Sequence, residues 1–241
     1  MNKLQEIINN SKKIVFFGGA GVSTESGIPD FRSVDGLYFQ KWDYPPEQII
    51  SRTFFVNNPK EFYRFYREKL LPQNIEPNAA HKKLAEMEKA GKLLAVITQN
   101  IDGLHQKAGS KKVYELHGST LRNYCMNCNA FYDEKIIIES KKSPDTLPHC
   151  PKCGGLIKPD VVLYEEPLNQ SIIEGAVHAL QQADTLIIGG TSLTVYPAAG
   201  LINYFRGNNL VLINKSVTPQ DNMANLVIHE PIGQVLDKIQ L

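Results

Sequence analysis

Apolar positions come in short unbroken runs: Ile14 to Phe17, Leu93 to Thr98, Thr185 to Ile188 and Leu210 to Ile213. Each run leads into glycine or polar residues and then into a helical pattern. Runs of this length without polar alternation are strands buried on both faces, and their succession with helices predicts a parallel sheet covered on both sides. Ile172, Ile173, Ala176, Val177 and Leu180 keep to i, i+1, i+4, i+5, i+8, the stripe of a helix with one buried face. Asn78 opens a similar helix after Pro77, and Gly91 closes it. At the N-terminus Leu4, Ile7 and Ile8 share a helical face, and the intervening Gln5 and Glu6 deny the segment the apolar core of a secretory signal.

Two stretches break this rhythm. Residues 34–75 hold Pro-containing turns and an aromatic-rich helix (Phe62, Tyr63, Phe65, Tyr66), and residues 120–158 hold every cysteine of the chain. The expected architecture is α/β: a Rossmann-like doubly wound parallel sheet from residues 1–33, 76–119 and 159–241. The helical insertion and a zinc ribbon form a smaller lobe. Ligands of open α/β sheets sit beyond the carboxyl ends of the strands, so the cleft is expected between the lobes.

Charge and composition remove several classes. With 26 Lys+Arg against 25 Asp+Glu the net charge is +1, so no global field draws the chain to a phosphate backbone or an anionic bilayer. A nucleic-acid partner is not expected, and the lysines near the knuckles (Lys141, Lys142, Lys152, Lys158) read as a solvated face. The longest apolar run, Leu93 to Ile97, is far short of the roughly 18 residues of a membrane span, so no membrane role is expected. Four cysteines confined to residues 125–153 are too few for a disulfide scaffold and point to a metal in a reducing cytoplasm.

Cys125-Met-Asn-Cys128 and Cys150-Pro-Lys-Cys153 are two CxxC knuckles with 21 residues (129–149) between them. Each knuckle points two thiolates at one ion, and two knuckles complete a closed four-sulfur shell with no position for water. One structural zinc is expected, with His149 a bystander beside the second knuckle. Ile14 to Phe17 runs into Gly18-Gly-Ala20-Gly21-Val-Ser-Thr24, a strand, tight glycines and a possible helix start. Gly21 and its neighbours would let backbone amides approach a pyrophosphate. Thr24 occupies the third glycine position of a dehydrogenase loop, and no acid follows a second strand to hold a ribose, so this is not a standard dehydrogenase loop. Farther along the same loop Asp30, Phe31 and Arg32 stand side by side, an acid, an aromatic and a guanidinium positioned to cover a cofactor.

At this point the sequence resembles the sirtuins, NAD-dependent protein deacylases. The resemblance rests on GAGVSTESGIPDFRS, Thr98-Gln-Asn-Ile-Asp102, Leu116-His-Gly118, the paired knuckles, Lys158-Pro-Asp-Val-Val162, Gly190-Thr-Ser192 and Ile213-Asn214, in order from about residue 14 to 232. It implies that His117, which follows the short alternating strand Val113 to Leu116, is the general base acting on the nicotinamide ribose. His81 and His105 are read as structural. It implies further that Ile101 and Asp102 hold the nicotinamide amide, with Gln99 and Asn100 near its ribose. Ala20, Thr24, Phe31 and Arg32 would surround the diphosphate and nicotinamide, and Gly190, Thr191, Ser192, Asn214 and Ile232 the adenosine side. NAD would be consumed as a co-substrate, and acylated-lysine proteins would be the partners, pairing as an added strand with Val161 to Glu166, Val161 and Val162 included, and with Ser192 to Val195.

Two local departures matter. Glu165 stands where many sirtuins have glycine, which suggests altered backbone angles and a preference for basic residues beside the target lysine. Tyr66 and Lys69, at i and i+3, would face one way and could touch an acidic acyl group, although core packing of the aromatic helix is the simpler reading and deacetylation is expected first. Mono-ADP-ribosyl transfer to protein, and a non-enzymatic zinc-ribbon module binding NAD or nucleic acid, are the alternatives.

Overall fold

β1 (Ile14–Gly18) is buried along its whole length, as a strand covered on both faces must be. Its side chains divide by parity: Ile14 and Phe16 join one apolar cluster, Val15 and Phe17 another. The computed structural model describes residues 2–31, 36–71 and 74–241. Within them β1 lies at the centre of a six-stranded sheet of order β3-β2-β1-β7-β8-β9, with β2 (Leu93–Thr98), β3 (Val113–Glu115), β7 (Thr185–Gly189), β8 (Asn209–Ile213) and β9 (Leu226–Ile228). Every pairing is parallel. The chain therefore winds outward from β1 in both directions, and the switch point lies between the carboxyl ends of β1 and β7.

The first cluster is covered by α1 (Asn2–Asn10), α5 (Ala79–Lys89) and α9 (Ile232–Asp237), which contribute Leu4, Ile8, Leu84, Met87, Val235 and Leu236. The second is covered by α8 (Gln170–Gln182) through Ala176, Ala179 and Leu180. Asn78 caps α5, its side chain accepting from the Ala80 amide at 2.9 Å, and Gly91 takes a left-handed φ of 74° just beyond the helix end.

The second lobe has its own core. α2 (Pro46–Ile49), α3 (Arg52–Asn57) and α4 (Pro59–Phe65) place Ile49, Phe54, Phe55, Phe62 and Tyr63 against Cys125, Cys150 and Ile157. A three-stranded antiparallel sheet, order β5-β4-β6, carries the knuckles: β4 (Gly118–Cys125), β5 (Phe131–Tyr132) and β6 (Ile157–Val161). The short α6 (Leu104–Ala108) and α7 (Lys135–Glu139) complete the α-helices of the described residues. The chain crosses between lobes at His117–Gly118 and returns just after Val161. Among the described residues no helix is long and apolar enough to cross a membrane.

The glycine loop departs from expectation. Instead of opening an α-helix it makes two 3₁₀ turns, Ala20–Val22 and Thr24–Ser26. The crowding of the adjacent loop explains this. Gly190, with φ +58°, would place a Cβ 2.3 Å from the Val22 amide nitrogen, and the Gly21 amide donates to the Gly190 carbonyl at 2.8 Å. The glycines let two strand-end loops cross at van der Waals range, besides any access they give to a ligand.

Candidate active site

The ends of β1, β2 and β7 bring the expected residues to one place. His117 follows β3, and its Nδ1 lies 2.9 Å from the Gln99 carbonyl oxygen. A carbonyl only accepts, so Nδ1 carries the hydrogen and Nε2 keeps the lone pair. Nε2 has no hydrogen-bond partner among the described residues and is not sealed from solvent. Burial holds the His117 pKa below that of free imidazole, opposed in part by the Gln99 bond. The ring is thus a neutral base at neutral pH, with its proton-accepting nitrogen free.

Gln99 also donates from Nε2 to Thr191 Oγ1 at 3.1 Å, joining the β2 end to the β7 end. Asn100 Nδ2 donates to Ser23 Oγ at 3.1 Å, and Ser23 Oγ donates to Asp102 Oδ2 at 2.6 Å. Asp102 Oδ1 accepts from the Leu104 amide at 2.9 Å, while burial raises its carboxyl pKa. Ser23 is a residue that the motif reading passed over: it is buried and links the glycine loop to both amide and acid. Nothing in its spacing marks it apart from any serine in a glycine turn. Thr24 Oγ1 donates to the Gly21 carbonyl at 3.0 Å, tightening that turn around Ala20 and Gly21.

Beyond β7 and β8, Ser192 Oγ sits 2.8 Å from Thr194 Oγ1, and Asn214, just past β8, donates from Nδ2 to the Ser216 carbonyl at 2.7 Å. Ile232 is different in kind. Its side chain is buried in the core, and a Cβ on Gly189 would lie 2.1 Å from its Cδ1. Phe31 packs edge-on against Tyr38 with ring centroids 5.6 Å apart, and the Asp30 carbonyl accepts from the Leu37 amide at 2.8 Å. Arg32 lies outside the described residues.

The four sulfurs of Cys125, Cys128, Cys150 and Cys153 all lie within 4.8 Å of one another, with Cys125–Cys153 at 3.4 Å and Cys128–Cys150 at 3.7 Å. Tetrahedral zinc with Zn–S bonds near 2.3 Å needs sulfurs about 3.8 Å apart, so the set fits a closed zinc shell. His149 is turned away to Asp145 Oδ2 at 2.7 Å and the Gly154 carbonyl at 3.1 Å, tying down the second knuckle. Tyr132, unmarked by any spacing, approaches Cys150 Sγ with its hydroxyl at 3.1 Å.

Val161 pairs with Gly118, and the Val162 amide donates to the His117 carbonyl at 3.0 Å. Tyr164 spends its amide on Ile50 and its carbonyl on Arg52, both at 3.0 Å, so one edge of this segment is already taken by the insertion. Glu165 does adopt a left-handed φ of 74°. Its Oε2 accepts from the Thr53 amide at 2.8 Å and from Thr53 Oγ1 at 2.7 Å, capping the start of α3, and these bonds hold its carboxyl below the usual range. That task differs from reading a basic neighbour of the target lysine.

Tyr66 and Lys69 do not face one way. A π-helical turn, Tyr66–Leu70, widens the helix beyond the 3.6-residue repeat on which an i, i+3 pairing depends. Tyr66 is sealed in the core, its ring stacked on Phe62 at 5.6 Å, while Lys69 Nζ lies 5.6 Å from the centroid of Trp42.

Comparison with known proteins converges on one family. Residues 19–197 match the model of the Sir2 family. The NAD-dependent protein deacetylase of Clostridium perfringens (strain 13 / Type A) is 64% identical over 242 residues, covering 99% of this chain and 98% of that protein. Its counterpart in Clostridium acetobutylicum is 60% identical over 241 residues, covering 99% and 97%. Among solved structures, Sir2 with a p53 peptide and NAD+ superposes with a TM-score of 0.88 at 40% identity, over 98% of this chain and 95% of that one. Sir2 bound to acetylated peptide gives 0.88 at 39% identity over the same shares. The motifs, the two-lobed fold and these full-length matches agree: the chain belongs to the Sir2 family.

Proposed function

We propose that this protein is an NAD-dependent protein-lysine deacetylase. Acetyl-lysine protein, NAD and water yield lysine protein, nicotinamide and O-acetyl-ADP-ribose. The observation that carries the reading is the His117 ring at the crossing between lobes, its Nδ1–H spent on Gln99 and its Nε2 free. NAD supplies an electrophilic ribose carbon once its nicotinamide departs. His117 Nε2 takes a proton from a ribose hydroxyl, and the Gln99 carbonyl stabilises the resulting imidazolium through Nδ1–H. Asn100 and Asp102, fixed by Ser23, offer an amide and a carboxyl to the nicotinamide carboxamide and ribose. The crossed loops at Gly21 and Gly190, whose own amides are spent on the Gly190 and Ile213 carbonyls, shape the floor beneath the diphosphate, and Ser192 and Asn214 face the adenosine. Val162 and Ser192 lie on the segments that would flank a peptide strand carrying the acetyl-lysine. Cys125, Cys128, Cys150 and Cys153 would hold one zinc ion, whose closed four-sulfur shell would tie the ribbon together and supply no chemistry to the reaction. Four thiols gathered for a metal support a reducing compartment, and we place the reaction in the cytoplasm.

Nicotinamide release from NAD, measured with and without an acetyl-lysine peptide, tests the reading. Release is expected to require the peptide, to yield O-acetyl-ADP-ribose and to fall by about 10²-fold or more in His117→Ala. Radiolabel transferred from NAD to protein without deacetylation would replace it with ADP-ribosyl transfer, and the absence of turnover would leave a binding module.

A further inference from the structure

β4 does not run straight from the lobe crossing to the first knuckle. Its pairing with β6 holds at Gly118 and Ser119, lapses, and resumes at Asn123. Such an irregularity re-aims the side chains it contains, and here residues 120–122 turn toward the large lobe. Thr120 donates both its amide, at 2.9 Å, and its Oγ1, at 3.0 Å, to the Ile101 carbonyl. Leu121 lies over Gly103, where a Cβ would come within 2.6 Å of its Cδ1. Arg122 then reaches in two directions: Nη1 donates to Glu115 Oε2 at 2.7 Å and Nε to Asp160 Oδ2 at 2.8 Å.

These two carboxylates belong to different lobes. Glu115 ends β3 of the large sheet, two residues before His117, and is only 8% exposed. Asp160 sits in β6 of the small sheet, opposite Ser119. One planar guanidinium therefore spans the point where the chain passes from one sheet to the other. Its N–H groups are held in a fixed fork, so bonding two acceptors at once fixes the angle between them, which a lysine ammonium on a flexible stem does not. The Arg122 side chain is 38% exposed but that of Glu115 only 7%, so losing the guanidinium leaves a buried carboxylate unpaired and costs some stability. The two-acceptor geometry adds an effect on orientation that an ammonium cannot reproduce.

The geometry points to Arg122 as a positioning residue: its fork clasps Glu115 and Asp160 across His117–Gly118 and sets the angle at which the zinc-bearing lobe meets the nucleotide-binding lobe. This rests on the deacetylase reading with His117 as the base. A misplacement on the order of 1 Å at a reacting centre costs about 10²-fold in rate, so a loosened clasp is read in turnover and in peptide use, while ADP-ribose, held by the large lobe, is bound as before.

The test uses the full-length, zinc-loaded protein with Arg122→Lys and Arg122→Met. Both variants are expected to lose about tenfold or more in kcat/KM for an acetyl-lysine peptide. Zinc content should be unchanged and the ADP-ribose Kd should stay within about twofold of the parent. The charge-preserving Arg122→Lys should give no rescue. Should Arg122→Met fail to fold, Arg122→Lys alone decides. Wild-type kcat/KM in Arg122→Lys, or ADP-ribose affinity falling in step with turnover and thermal stability, overturns the clasp. His117→Ala, assayed alongside, separates the two ideas. Turnover surviving that change defeats the assignment of the base, whereas an inactive His117→Ala beside fully active Arg122 variants defeats the clasp alone.

Discussion

His81 and His105 stand ring to ring, centroids 4.7 Å apart, where α5 meets α6, and neither reaches the cleft. His81 Nδ1 accepts from the Asn78 amide, but His81 Nε2 and both nitrogens of His105 are buried without a partner. Desolvation lowers His81 to about 4 and His105 well below its ordinary value. Below pH 6.5 the unfolded chain binds protons that the native pair refuses, so stability is full above that pH and declines as pH falls. Each histidine held neutral costs about 1.4 kcal/mol per pH unit through this window, for His81 down to about pH 4. Urea midpoints measured from pH 7.5 to pH 5 should slope accordingly, and His105→Gln should flatten the slope by about half of the pair's share. An unchanged slope would refute the assignment. Catalysis has its own acid limb. His117 is depressed by burial, so kcat/KM should rise with pH through a midpoint below 6.5 and level off at neutrality, a profile that stopped-flow or steady-state rates can check.

Among the elements, α3 gives the sharpest case of a residue whose cost and benefit can be separated. Glu165 holds a left-handed backbone, a conformation that costs a non-glycine residue roughly 1 kcal/mol, and its carboxylate caps Thr53, a bond of comparable worth. Glu165→Ala keeps the strain and loses the cap, whereas Glu165→Gly loses both. Thermal or urea unfolding should therefore place Glu165→Ala about 1 kcal/mol below Glu165→Gly, with Glu165→Gly close to the parent. If alanine is the more stable of the two, the cap and strain have been misjudged. The legible elements were those whose signal is local. β1, β2, β7 and β8 follow the apolar runs nearly residue for residue because burial on both faces leaves no room for polar side chains. The helix over residues 170–182 follows its stripe, and the knuckles follow from CxxC alone. β9, three half-buried residues, carries no such signal. The pairing of β4 with β6 joins segments far apart in sequence, so no window of the chain reveals it. The π-helical turn after Phe65 could not be read from an aromatic stripe that fits an ordinary helix equally well, which is why Tyr66 and Lys69 were expected on one face. Within the cleft, backbone-adjacent motifs such as Gln99 to Asp102 were visible, while Ser23 and Arg122 acquire their roles only from partners on other elements.

For the whole molecule, the decisive feature is that the polypeptide passes between lobes beside His117. Gly118 has φ +76°, and a Cβ there would lie 1.9 Å from the Asp160 carbonyl oxygen. Gly118→Ala should destabilise the protein by more than about 1 kcal/mol and reduce turnover more than ADP-ribose binding, which unfolding curves and calorimetric titration would show. Normal turnover in that variant would mean that the crossing tolerates a different path. The apolar cluster of the insertion and ribbon shares no residue with the two clusters that flank the large sheet. Cooperativity is therefore strongest within each lobe, and the smaller one depends on its metal as well as on its aromatic side chains. In a differential scan, heat uptake should resolve into two steps, with a calorimetric enthalpy larger than the van't Hoff value. Only the earlier step should climb as free zinc is raised, and a chelator should erase it while the later one survives.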